Sequence, residues 1–479
     1  MAGMNIVAYS TAALLTVTSV VAQTPYVMMS DHGVVERLER GVGFDNHGTV
    51  AERPEACDLI GLAHYGQDVP GGGTLGSIAF ADGATISSTG RIAFVSRIDG
   101  AERNQGIFSA GEDGLLPIVI GCGGGGGSGD PGSGCGDPSP IGGTFSGVFP
   151  GTPPSAPPIN NIGDILFLSD IDRGDSPRGL FLYQADTGDI RKVVAVGDDS
   201  PLGGTFSSIG PGSLNNSRQV VFLALTGLST DGNLFLWDDG VISKVAAAGD
   251  PAPGGGFFWA IGTERLGYRD GTTMPTGPLG AINDVGQISF RGYVTGGESL
   301  GGIFLSDGTT HQWYVRVGDP TPMGGTYADF AAASLNNAGE VAFFADVRVD
   351  SSLTSGWFAG SPGSWRKAIA FYDSVDGGAV YGLAYSRNPL TPLNDAGRLL
   401  LWAAIRIASI DYERLLISEP DGSLSVAVRQ GDSTPYGGQI GLLHPWPSLN
   451  NDGQGTVAAS TPGAGGVFNA YMIFQSCTP

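Results

Sequence analysis

Ser334-Leu335-Asn336-Asn337-Ala338-Gly339-Glu340-Val341-Ala342-Phe343-Phe344 reads as the end of one strand, a tight turn and the start of a second strand. Asn and Gly tolerate positive φ, so Asn-Asn-Ala-Gly suits a two-residue hairpin turn. Val341 and Phe343 then supply strand-forming side chains. Close copies start at Asn160, Asn283 and Asn394, and looser ones at Ser87, Asn215 and Asn450. An internal repeat of this kind decides the architecture before any single motif does.

A second motif accompanies each turn. Its clearest copy is Gly318-Asp319-Pro320-Thr321-Pro322-Met323-Gly324-Gly325-Thr326-Tyr327. Others begin at Gly136-Asp137, Gly197-Asp198, Gly249-Asp250 and Gly431-Asp432, with Gly66-Gln67-Asp68 a variant and Tyr372-Asp373 a worn copy. The spacing is roughly 61 residues, somewhat above the usual propeller-blade period. Each repeat carries four strand signals, and Asp-Gly turns such as Asp239-Gly240 and Asp307-Gly308 join the third to the fourth. A β-solenoid or a string of sandwiches repeats with shorter coils or less regularity. The expectation is therefore an all-β chain, a seven-bladed β-propeller of four-stranded antiparallel blades. The last repeat lacks a fourth strand, and residues 58–65 offer one, so the ring is expected to be closed by an N-terminal strand.

Composition narrows the class further. Gly is 80 of 479 residues with no collagen period, and 41% of residues are hydrophobic, which fits many short strands joined by Gly turns. The net charge of -22 repels nucleic acid and anionic lipid, and leaves a cationic ligand, a metal ion or a neutral polymer as acceptable. Residues 1–22 read as a signal peptide, although they carry no Lys or Arg. Residues 23–56 form an N-terminal extension and residues 57–477 the propeller. No other apolar stretch is long enough for a membrane span. A monomer is expected. The four cysteines of a secreted chain are expected in disulfides. Three pairings exist; the favoured one joins Cys57 to Cys477 across the ring closure and Cys122 to Cys135 around a Gly-rich loop.

The copies Asn336-x-x-Gly339-x-x-Ala342-Phe343 and Ser87-x-x-Gly90-x-x-Ala93-Phe94 resemble the secreted bacterial tandem-repeat proteins that carry an N-x-x-G-x-x-A-F motif. The strand-and-turn rhythm is similar to TolB-like propeller blades. The resemblance spans roughly residues 57–475. It implies a bacterial protein that is secreted or held at the cell surface, and it implies no activity.

Chemistry has few candidate carriers. If the repeat links share one face, then Asp68, Asp137, Asp198, Asp250, Asp319, Asp373 and Asp432 form a carboxylate ring that suits calcium, the one cofactor considered. Ordinary turn chemistry explains the same residues, with each carboxylate accepting local backbone N–H groups. The Asn of each turn is read as structural. There are five His, none in H-E-x-x-H spacing, and no G-x-S-x-G elbow. The catalytic candidates are His444 and, within the insertion at residues 257–281, Glu264, Arg265, Tyr268, Arg269 and Asp270. Tyr, His and Arg together suit a lyase acting on an acidic polysaccharide; paired carboxylates suit hydrolysis of a neutral one. Trp259 and Trp446 are the candidates to stack a sugar. The expected role is a secreted binding or scaffolding protein for carbohydrate or protein, with a secreted carbohydrate-active enzyme as the alternative.

Overall fold

The computed structural model describes residues 57–76, 83–122, 135–147, 156–227, 232–262, 280–384, 392–461 and 470–475. The signal peptide and extension expected over residues 1–56 lie outside them.

Seven antiparallel sheets follow one another along the chain as the blades of a β-propeller. Blade 3 shows the plan: Phe206–Leu214 innermost, then Val220–Thr226, Asn233–Asp238 and Val241–Ala246 outermost. Blade 5 repeats it with Thr326–Leu335, Val341–Val349, Ser352–Ser361 and Ser364–Ala370. In blade 4 the inner strand is split into Phe257–Ile261 and Gly280–Ile282, both paired with Ile288–Thr295. Blade 1 is split likewise into Thr74–Leu75 and Thr85–Ile86. Blade 7 contains Leu442–Leu443, Gly455–Ser460 and Ala470–Phe474, and its fourth strand is the N-terminal Leu59–His64. Leu59 pairs with Phe474 and His64 with Ala470, so the closure expected from sequence is present. Cys122 is bonded to Cys135, with Cα atoms 6.1 Å apart. Cys57 is also disulfide-bonded; its expected partner, Cys477, lies outside the described residues.

A repeated core explains why the blades stack. The second strands place Phe94, Phe167, Phe222, Phe290, Phe343, Leu401 and Val457 at one register position, all buried. Each faces a buried third-strand residue: Phe108, Phe181, Phe235, Phe304, Phe358, Leu416 or Met472. Five of these pairs are stacked rings with centroids 5.3–5.8 Å apart. This register makes Leu401, rather than its neighbour Trp402, the counterpart of the repeated Phe.

The Asn-x-x-Gly turn differs from the two-residue form expected. The N–H of Gly339 bonds the carbonyl of Asn336, and the N–H of Asn336 bonds the carbonyl of Glu340. The loop is therefore the three residues Asn337 to Gly339. Gly339 has φ 80°, the left-handed residue that such a loop needs at its end. Asn336 Oδ1 accepts the Glu340 N–H, which holds the loop closed from inside.

Candidate functional site

The two ends of the blades are built differently. At the turn end, the buried Asn residues link neighbouring blades. The Nδ2 groups of Asn160, Asn215, Asn283, Asn336 and Asn394 each donate to the backbone carbonyl of the corresponding Asn one blade on, and Asn450 donates to Ser87, at 2.9–3.2 Å. A parallel set runs beside it. The N–H groups of Ser88, Asn161, Asn216, Asp284, Asn337 and Asp395 each donate to the side-chain oxygen of the next residue in that series, ending at Asn451. The first series ends at Ser87, which has no carboxamide to donate, and the second starts at Ser88, whose hydroxyl stands where the other blades carry an Asn or Asp oxygen. The structural reading of these Asn residues thus extends beyond their own turns: their side chains hold blade to blade.

At the opposite end lie the links between blades, and with them the Asp residues considered as a calcium ring. Asp137, Asp198, Asp250, Asp319, Asp373 and Asp432 each accept the N–H of a residue in or just past the blade's fourth strand, at 2.7–2.9 Å. Lys192, Lys244 and Lys367 add ion pairs to Asp198, Asp250 and Asp373, and Arg103 pairs with Asp137. In the first link the equivalent acceptor is Gln67, which takes the His64 N–H, rather than Asp68. Each side chain staples its own blade. Among the described residues no three His, Cys, Asp or Glu come together as a metal site.

The inner strands carry a feature that periodicity alone did not reveal. In blades 2 to 6 the ladder skips one residue just after the buried position that follows the link. The unpaired residues are Ser146, Ser207, Trp259, Ala328 and Tyr381. The same spacing gives Gly76 in blade 1 and Gly441 in blade 7. A β-bulge of this kind re-aims its side chain out of the strand alternation. Five of the seven positions are small; blades 4 and 6 carry aromatics.

Trp259 anchors the most developed of these positions. It is 37% exposed and stacks on Tyr293, with ring centroids 5.2 Å apart. The guanidinium of Arg291 lies 4.6 Å from the centre of the same Tyr293 ring. Arg291 Nη2 donates to Asp329 Oδ1 of blade 5 at 2.8 Å, and the Tyr293 hydroxyl reaches that oxygen at 3.4 Å. The Arg291 side chain is 4% exposed, whereas that of Asp329 is 47% exposed. The buried cation thus holds a carboxylate that faces solvent. Asp346 is the cross-strand partner of Asp329 and accepts from the Ser355 hydroxyl at 2.6 Å.

Arg291 breaks the repeat. The residue after the repeated Phe is Val95, Leu168, Leu223, Phe344, Trp402 or Ala458 in the other six blades. Burying a charge there costs several kcal/mol unless it is paired. Gly292 pairs with Ile261 and Phe290 with Gly280, and between them Gly262 donates its N–H to the Arg291 carbonyl at 3.0 Å. Aligning the repeats on their turns shows this departure in the sequence itself; comparing motif by motif does not.

The remaining candidates are placed elsewhere. His444 and Trp446 lie in blade 7, with ring centroids 5.2 Å apart. His444 is buried, and a side chain at Gly83 of blade 1 would strike the Trp446 carbonyl. Trp446 is therefore three blades removed from Trp259. Glu264, Arg265, Tyr268, Arg269 and Asp270 lie outside the described residues.

Among solved structures the chain is similar to the polysaccharide lyase Uly1, with 8% identity over 88% of this chain and 100% of that one, TM-score 0.40. It is similar to a PL25 ulvan lyase bound to -[GlcA(1-4)Rha3S]-, with 9% identity over 87% and 96% of the two chains, TM-score 0.38. It is also similar to an endo-arabinase from Bacteroides thetaiotaomicron, with 11% identity over 55% and 90%, TM-score 0.25. No curated protein matches the chain. A family model matches residues 46–298 and again 260–476, together nearly the whole propeller, and the chain belongs to that family, the family of unknown function DUF7453.

Proposed function

We propose that this protein is a secreted, extracellular carbohydrate-binding propeller whose site is formed by Trp259, Tyr293, Arg291 and Asp329. The observation that carries the reading is the buried Arg291, which replaces an apolar residue of the repeat in order to hold a half-exposed carboxylate beside an exposed, stacked Trp. A flat apolar wall next to a few fixed polar groups is the composition of a small-ligand site. It matches a pyranose, which offers an apolar C–H face and a rim of hydroxyls. The Arg291–Asp329 pair is neutral as a unit, and the chain carries a net charge of -22, so an uncharged sugar meets less repulsion than a polyanion. The disulfide Cys122–Cys135 fits an oxidising compartment. Among the described residues no helix is long and apolar enough to cross a membrane.

A second reading rests on Asp329 and Asp346. Directly opposed cross-strand residues have Cβ atoms about 4.5–5.5 Å apart, within reach of the carboxyl spacing of about 5–5.5 Å in retaining glycosidases. The test is a glycan-array screen of the mature chain, with and without calcium, followed by assay of the supernatant for released oligosaccharides. Binding without release, lost in Trp259→Ala, supports the binding protein. Release of products that stops in Asp346→Asn supports the hydrolase. Binding that is indifferent to Trp259→Ala overturns the site.

A further inference from the structure

We infer that blade 6 carries a second saccharide subsite, built on Tyr381, so that the ligand is a neutral glycan chain lying across the inner strands of blades 4, 5 and 6. The inference rests on the carbohydrate-binding reading and extends it from one sugar ring to a polymer.

Tyr381 is the bulge residue of blade 6, between Val380 paired with Ile405 and Gly382 paired with Ala404. Trp259 is the bulge residue of blade 4, between Phe258 paired with Val294 and Ala260 paired with Tyr293. The two aromatics therefore leave the sheet at the same height of alternate blades. Each is backed by a second group that fixes its plane. Trp259 rests on Tyr293, and Tyr381 lies against the guanidinium of Arg406. Arg406 is itself held by Asp411, with Nε to Oδ1 at 2.8 Å and Nη2 to Oδ2 at 2.9 Å. A two-pronged Arg–carboxylate pair is geometrically rigid. Its bond to Asp411 and, after that, to Tyr381 keep the guanidinium strongly in its charged form against the opposing effect of burial.

The blade between them is complementary. Its bulge residue is Ala328, too small to wall one aromatic off from the other, and the next residue is the half-exposed Asp329. The order along the inner strands of blades 4, 5 and 6 is thus aromatic, small residue with a carboxylate, aromatic. Elsewhere the bulge positions are Ser146, Ser207, Gly76 and Gly441, none of which offers a platform. A single ring needs one wall; two walls separated by a polar gap fit a chain whose sugars stack at each end and hydrogen-bond in the middle. Both arginines are neutralised by their own carboxylates, Asp329 and Asp411, so the surface favours an uncharged chain.

The test is calorimetric titration of the mature protein with β-1,4-gluco-, β-1,4-xylo- and α-1,4-gluco-oligosaccharides of two to six units. At least one series is expected to bind at least tenfold tighter at five or six units than at two. Tyr381→Ala is expected to erase that gain and leave the disaccharide affinity within twofold, while Tyr381→Phe keeps it. Trp259→Ala is expected to weaken every length. A length dependence that survives Tyr381→Ala overturns the second subsite and leaves the first in place. An equal loss at all lengths in Tyr381→Ala also overturns it, since the two aromatics then serve one ring. Failure of all three series to bind the wild-type protein overturns the neutral-glycan reading itself. Unchanged thermal melting of Tyr381→Phe and Tyr381→Ala shows that the fold is not what was lost.

Discussion

The two ends of the blades are made from the same repeat and obey different rules. At the turn end the same residue types recur, because each Asn side chain has more than one job. Asn336 accepts the Glu340 N–H inside its own loop, and it donates to the next blade. At the link end the bulge position runs through Gly, Ser, Trp, Ala and Tyr. A bulged residue stands outside the cross-strand side-chain pairing, so the fold tolerates varied side chains there. The contrast teaches where this molecule can specialise. The turn end holds the ring together, and the link end is where one blade differs from another.

The largest expected effect attacks the uniform end. Asn336 is buried, and Asn336→Ala removes its loop contact to Glu340 and its bond to the Asn394 carbonyl. Leaving such groups unpaired is expected to cost about 2–3 kcal/mol in urea unfolding, with sugar binding unchanged. A loss below about 0.5 kcal/mol would mean that the inter-blade Asn contacts do not hold the ring.

The next test attacks the specialised end. Arg291→Leu restores the apolar residue type of the other blades. Replacing a buried ion pair with an apolar residue is often neutral or stabilising, and Asp329, being half exposed, stays solvated. Stability is expected to stay within about 1 kcal/mol, while affinity falls at least tenfold, or about 1.4 kcal/mol. A large loss of stability with binding retained would make Arg291 a structural residue and erase the contrast between the ends.

A smaller effect sharpens the picture of the turn end. The chain of Asn side-chain bonds stops at blade 1, where Ser87 stands for Asn. Ser87→Asn provides a donor toward the Asn160 carbonyl, and is expected to add about 0.5–1 kcal/mol by urea unfolding. Destabilisation would show that the break at blade 1 is needed for closure.

The smallest effect is in the pH dependence. Burial holds His311 below its ordinary pKa, partly offset by Asp250 and Asp307. Its ring packs edge-on against Phe258 and Phe290 beneath the Trp259 strand. With the folded pKa lowered, the unfolded chain takes up the proton more readily. Stability is therefore complete above about pH 6.5, the ordinary His value, and declines as pH falls below it. His311→Phe is expected to flatten the part of this decline between about pH 6.5 and 5, read as urea midpoints. An unchanged slope would assign the decline to other groups.

Much of this was legible in the sequence because it is local. Turn, strand and link signals lie within about 61 residues of one another, and they determined the number of blades, the four strands of each and the strand that closes the ring. The Cys122–Cys135 bridge was legible for the same reason: it spans 13 residues. What the sequence left open was where chemistry gathers. It offered Trp259 and Trp446 as sugar-stacking candidates without saying whether they lie together, and they stand in different blades. Arg291 and Asp329 are 38 residues apart on different blades, and only the stacking of blade 4 on blade 5 brings them together. The bulges that turn Trp259 and Tyr381 out of their strands belong to strand pairing, not to composition. Periodicity encodes the blade; contacts between blades, and the single residues that depart from the ladder, are decided by tertiary packing.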